Sequence, residues 1–170
     1  GEGINARTIK RQLEPMTIIG ATTRSGMLTA PLRDRFVNRL QLEYYEIEDL
    51  AEICLRNARK LNTKIDRESK IEIARRSRGT PRKCNNFLRW ARDYATSRAD
   101  GDITLPIVLQ ALEMVEVDHV GLDQQDRKYL KTIIKVFGGG PAGIQAIGHS
   151  INVPVDTLED EVEPFLLQIG

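Results

Sequence analysis

The chain has 170 residues, 41% of them apolar, with 25 Lys and Arg against 24 Asp and Glu for a net charge of +1. That composition excludes a disordered polyelectrolyte, and no apolar run approaches the ~20 residues of a membrane span. The first ten residues, GEGINARTIK, lack the apolar core of a signal peptide. Two histidines and two distant cysteines, Cys54 and Cys84, suggest neither a zinc site nor a disulfide framework; they predict core thiols, no metal site, and a cytoplasmic protein. The charge is polarised: residues 1–98 carry +9 and residues 99–170 carry −8, which predicts more than one module. The basic part is the one suited to phosphates.

In chain order, an alternating stretch around Arg7–Lys10 reads as half of a hairpin. Strands are expected over Met16–Thr22 and Arg39–Tyr44; in the second, Leu40, Leu42 and Tyr44 alternate with Gln41, Glu43 and Tyr45. From Glu48 the period becomes helical, with Leu50, Ala51, Cys54, Ala58 and Leu61 on one stripe. A second helix fits Asp66–Ser77. A third starts at Thr80-Pro81, where Thr suits the N-cap and Pro the first turn, and buries Cys84, Phe87, Leu88, Ala91 and Ala95. A fourth starts near Thr104 and buries Ile107, Val108, Ala111, Leu112 and Val115. Four helices with short links predict a small bundle. Residues 116–123 read as a linker. Three further helices follow, over Gln124–Phe137 (stripe Leu130, Ile133, Ile134, Phe137), Ala142–Ser150 and Val155–Gln168, a helix-turn-helix or winged-helix pattern. GGGPAG, residues 138–143, follows a helix and lacks the lysine of a phosphate loop, so it is a turn.

Three short stretches carry chemistry. The expected strand of Met16–Thr22 runs into Thr23, and hydroxyls at the carboxyl edge of a sheet can orient water or touch phosphate. The plainer reading is a strand end closed by a threonine turn. In Pro31-Leu32-Arg33-Asp34-Arg35-Phe36 the apolar residues can anchor a turn that points its guanidiniums outward. Alternatively Asp34 neutralises its neighbours on a solvated face. In Arg78-Gly79-Thr80-Pro81-Arg82 the basic Arg82 stands against the positive end of a helix dipole. A bound phosphate resolves that conflict, as does a sideways pair with a carboxylate. The run Arg75, Arg76, Arg78, Arg82, Lys83, Arg89, Arg92, Arg98 suits nucleic acid, a solvated face or a subunit contact equally. The last helix carries Asp156, Glu159, Asp160, Glu161 and Glu163 with no Lys or Arg, so DNA phosphates would repel it.

Each stretch alone is ambiguous; their order and spacing are not. IIGATTR, then PLRDRF with Arg35 twelve residues after Thr23, then ARRSRGTPR with Arg82 forty-seven residues after Arg35, resembles the RuvB family of bacterial AAA+ motors for Holliday-junction branch migration. ADGDIT, GLDQQDRKYL, KVFGGGP and EPFLLQIG extend the resemblance along the chain. It implies a mainly α chain: a remnant of an AAA+ α/β ATPase core over residues 1–46, a four-helix lid bundle over 47–117, and a winged-helix domain over 118–170 that stops short of its wing. It implies sensor 1 at Thr23, a trans-acting arginine finger at Arg35, a nucleotide-contacting Tyr45, and sensor 2 at Arg82 beside Pro81. It further implies ATP or ADP with Mg²⁺, a hexameric ring, four-way junction DNA, a RuvA-like junction-binding partner docked on the hairpin near Arg7–Leu13, and a RuvC-like resolvase. Val37 stands where the family usually has Gly, and Ala30 where it usually has Ser. No Walker A motif and no Walker B strand occur in the sequence, so the resemblance is to the rear part of the motor, and this stretch by itself is expected to be inactive as an ATPase. A non-catalytic DNA-binding adaptor or a clamp-loader-type AAA+ protein are the competing readings; nucleotide-facing arginines argue against the first and the terminal module against the second.

Overall fold

The computed structural model describes residues 14–170, and the hairpin strand expected near Arg7–Leu13 falls outside them. The chain divides into two units, Gly1–Leu42 and Glu43–Gly170. The described residues are mainly α-helical and contain no strand; Ile65 and Ile103 alone form an isolated parallel bridge. No helix among them is long and apolar enough to cross a membrane.

In the first unit, the described residues hold one 3₁₀ turn, Ser25–Met27, and one short helix, α1 (Ala30–Asp34). The strands expected over 16–22 and 39–44 do not form. Ile19 and Leu40 are each about nine-tenths exposed, and their backbone has no ladder to join. Alternation marks a segment fit for a sheet, but a strand exists only when a second strand satisfies its N–H and C=O groups.

In the second unit, α2 (Ile47–Lys60), α3 (Arg67–Arg76), α4 (Pro81–Arg98) and α5 (Leu105–Met114) pack as the expected bundle. Leu50, Cys54, Ile73, Cys84, Leu88, Val108 and Leu112 fill its core. The two thiols are both buried inside it. Phe87, Ile107 and Leu61 only line the edge of that core. Val115 is exposed, because the chain leaves α5 at Met114. Asp66 caps α3 by accepting the Ser69 amide at 2.7 Å, so one orphan N–H of that helix is satisfied locally. The Trp90 indole donates to the Ala111 carbonyl at 2.6 Å and ties α4 to α5.

The remaining helices form a second, smaller core. They are α6 (Gln124–Lys135), α7 (Ile144–Ile151), α8 (Val155–Thr157) and α9 (Glu163–Ile169), with the chain between α8 and α9 passing through a π-helical turn at Leu158–Val162. Tyr129, Ile147, Ile151, Leu158 and Val162 make that core. Gly138 and Gly139, both with positive φ, carry the turn after α6, as GGGPAG predicts.

Two details differ from the sequence reading. The last helix is one pattern but three segments. Pro164 has no N–H for a carbonyl one turn back, and the wider π turn absorbs the misfit while keeping Leu158 and Val162 inward. The buried face of α6 is also rotated. Ile134 is 65% exposed, whereas Asp126, Tyr129 and Thr132 are buried. The Tyr129 hydroxyl donates to Glu163 at 2.5 Å, and Asp126 meets an arginine from the first bundle. An apolar stripe does not find a face buried against polar partners.

Candidate functional site

The Tyr45 backbone is held against the tight turn that leads into Pro81 and Arg82. Gly79 adopts φ +64°, and a Cβ there would come within 2.6 Å of the Tyr44 Cβ. Its carbonyl accepts the Tyr45 amide at 2.9 Å. The peptide that enters α2 is therefore held directly against the start of α4. Gly79→Ala is expected to cost about 1–3 kcal/mol, from the left-handed backbone and the clash together. Urea unfolding reads that loss, and an unchanged midpoint would mean the turn tolerates a side chain.

The start of α4 is open. Thr80 occupies the N-cap but does not cap: its hydroxyl donates to the Arg78 carbonyl at 3.1 Å. Pro81 has no N–H to satisfy, and the amides of Arg82 and Lys83 find no acceptor among the described residues. No acidic residue stands in the first turn. Arg82 is exposed and pairs with no carboxylate among the described residues, so the sideways pair that would make it inert does not form. Free amides, a positive dipole end and an unspent guanidinium fit a phosphate group.

Thr23 and Arg35 lie in the first unit, both exposed. Thr23 sits in a bend just before the 3₁₀ turn. Arg35 is the C-cap of α1, its amide donating to the Leu32 carbonyl at 3.2 Å. Asp34 does not neutralise it. That carboxylate accepts instead from Arg39 at 3.3 Å, in a pair exposed on both sides. Arg35 thus has no carboxylate partner among the described residues.

The basic run of 75–98 is not one surface. Arg75 and Arg76 both bind Glu72, and Arg76 also donates to the Val117 carbonyl at 3.0 Å. Arg92 pairs with Asp93 at 2.7 Å. Arg78 is buried. Its Nε donates to the Gly121 carbonyl at 2.9 Å, its Nη2 to Asp123 at 2.9 Å, and both terminal nitrogens to Asp126. The guanidinium lies 4.3 Å from the centroid of the Phe165 ring. Lys83 stands 3.8 Å from Asp123; burial lowers its pKa, reinforced by the Arg78 charge. Only Arg82, Arg89 and Arg98 of the run are left exposed without a carboxylate among the described residues.

Arg78 is the functional candidate that sequence reasoning missed as an individual residue. A signal was present: GLD-Q-Q-D offers a capping box, in which Asp123 accepts the Asp126 amide and Asp126 the Asp123 amide. Two carboxylates at one helix start leave spare acceptor oxygens for a cation. Burial raises the Asp126 pKa. Burial pushes Asp123 up too, but the Asp126 amide and the Arg78 charge outweigh it and hold Asp123 below its usual value.

The comparisons with known proteins agree along the chain. Residues 1–42 match the model of the Holliday junction DNA helicase RuvB P-loop domain, 45–118 the RuvB AAA lid domain, and 119–170 the RuvB C-terminal winged helix domain. The Holliday junction branch migration complex subunit RuvB of Rhodopirellula baltica is 59% identical over 168 residues, covering 99% of this chain and 46% of its own length. The Thermotoga maritima RuvB Holliday junction branch migration motor superposes with a TM-score of 0.82 at 45% identity, over 89% of this chain and 51% of that one. A point mutant of the same motor gives 0.83 at 44% identity, over 89% and 50%. The chain thus spans about half the length of the relatives it matches. On the lid and winged-helix architecture and on these three matches together, the chain belongs to the RuvB family.

Proposed function

We propose that the chain supplies the rear of the ATPase core, the lid and the winged-helix region of a hexameric motor that uses ATP to migrate Holliday junctions in recombination and repair. The observation that carries this reading is the open start of α4, where Arg82 and two amides without an acceptor among the described residues follow the turn that tethers the Tyr45 backbone. The residue ranges 1–46, 47–117 and 118–170 divide these roles.

MgATP, when bound, supplies the scissile phosphoanhydride. Arg82 and the amides at the start of α4 hold terminal phosphate oxygens from the lid side, and Tyr45 with Pro81 lines the nucleotide's flank. Thr23 orients the attacking water through its hydroxyl. Arg35 offers a fixed positive charge to the phosphate held by an adjacent subunit, where charge builds in the transition state. Such a motor acts in the cytoplasm on four-way junction DNA, with a RuvA-like junction binder and a RuvC-like resolvase. The acidic last helix repels phosphates, so DNA contact comes from other parts of the module.

The test is a chimera in which these 170 residues replace the matching half of the Rhodopirellula subunit. Its MgATP turnover is expected to rise with junction DNA. Arg82→Ala is expected to weaken nucleotide binding about tenfold or more, the loss of one charge-assisted contact. Salt-dependent junction binding with no nucleotide effect would instead identify a non-catalytic adaptor.

A further inference from the structure

Arg78 follows the C-cap of α3 in a left-handed conformation, φ +56°, which is unfavourable for a non-glycine residue. It also places a charge where only 5% of its side chain is exposed. Both costs fall at the junction of the bundle with the C-terminal module, and both are offset by partners of one kind. The Gly121 carbonyl, Asp123, Asp126 and the Phe165 ring all belong to the linker or the C-terminal helices, none to the bundle that carries Arg78. Gly121 is shaped for the same contact: with φ +91°, its missing Cβ would lie 2.8 Å from the Arg76 carbonyl oxygen.

On its other side, Arg78 precedes Gly79, whose carbonyl holds Tyr45, and stands four residues before Arg82. Residues 78–82 therefore join two attachments. One end is fastened into the C-terminal module; the other carries the side chain assigned to the nucleotide. A forked guanidinium fixes direction as well as distance, because its donors lie in one plane and reach three separate acceptor groups. An apolar contact of the same area would resist separation but not rotation.

We propose that Arg78 is a positioning residue that welds the start of α4 to the winged-helix module, so that movement of the lid at the nucleotide is carried to the DNA-binding part as one rigid lever. The weld stands on the contacts above; what drives it rests on the function proposed in the preceding subsection.

Residual dipolar couplings on the 170-residue chain test the weld. The native chain is expected to need a single alignment tensor for residues 47–114 and 124–169. Arg78→Ala is expected to need two, with each module keeping its own dispersed spectrum. Asp126→Asn keeps an acceptor for the Asp123 amide but removes the charge of the deeper partner, and it serves should Arg78→Ala not fold; it too is expected to separate the tensors. A single tensor in a folded variant overturns the weld. In the chimera, Arg78→Ala is expected to leave basal MgATP turnover unchanged while junction migration per ATP falls about tenfold. A proportional fall in both overturns the lever. If the native chimera shows no junction-dependent turnover, the proposed function fails, and the dipolar couplings still decide the weld.

Discussion

Arg35→Ala in the chimeric motor is expected to retain nucleotide binding and to lose turnover by on the order of 10³-fold or more, the scale of an arginine supplied in trans to phosphoryl transfer. The physical basis is a charge that no carboxylate among the described residues neutralises. Asp34, adjacent in sequence, is engaged by Arg39, and the Arg35 backbone is fixed at the end of α1 by the Leu32 carbonyl. Phe36 is half-buried and lies within contact distance of Gly20, 3.4 Å from where a Cβ would stand, which anchors the turn from its other side. A guanidinium so presented is preorganised for an external anion. Mixed rings separate the two arginines. An Arg35 defect is expected to be rescued by a native neighbour, and an Arg82 defect is not, because Arg82 is proposed to serve its own subunit's nucleotide. Near-native turnover by Arg35→Ala rings would remove the finger from the scheme.

Asp126→Ala is expected to destabilise the 170-residue chain by about 3–5 kcal/mol, since it leaves Arg78 buried with its charge only partly matched. The same carboxylate accepts the Asp123 amide at 2.8 Å, so the capping box of α6 is lost with it. Asp123 is a weaker lever: it is about one-third exposed and shares Arg78 with Asp126. Urea unfolding followed by circular dichroism measures the difference. A change in midpoint no larger for Asp126→Ala than for Asp123→Asn would mean that Arg78 finds water when its deeper partner is gone. The ranking matters because removal of one partner exposes the cost of burying a charge, whereas the intact pair adds little net stability. The cluster's worth is orientation.

The helices of the first bundle were legible from the sequence because their information is local. Leu50, Ala51, Cys54 and Ala58, then Cys84, Leu88, Ala91 and Ala95, recur at helical spacing, and burying such a stripe is the main stabilising term for each helix. The start of α4 was legible for the same reason, since Thr-Pro fixes it within two residues. The order and spacing of IIGATTR, PLRDRF and ARRSRGTPR were enough to name a family, and that resemblance proposed roles for Thr23, Arg35, Tyr45, Pro81 and Arg82.

Three features required the tertiary structure. Alternation at 16–22 and 39–44 marks material for a sheet, but pairing is non-local, and no described residue supplies the ladder. The inner face of α6 is set by partners far along the chain: Asp126 by Arg78, forty-eight residues earlier, and Tyr129 by Glu163, thirty-four residues later. Among eight basic residues in one run, Arg75, Arg76 and Arg92 are spent on local carboxylates, whereas Arg78 and Lys83 meet carboxylates that folding delivers from the start of α6. Charge along a chain counts like residues as alike. Burial and a forked acceptor geometry separated Arg78, fixed inside the molecule, from Arg82, left facing out.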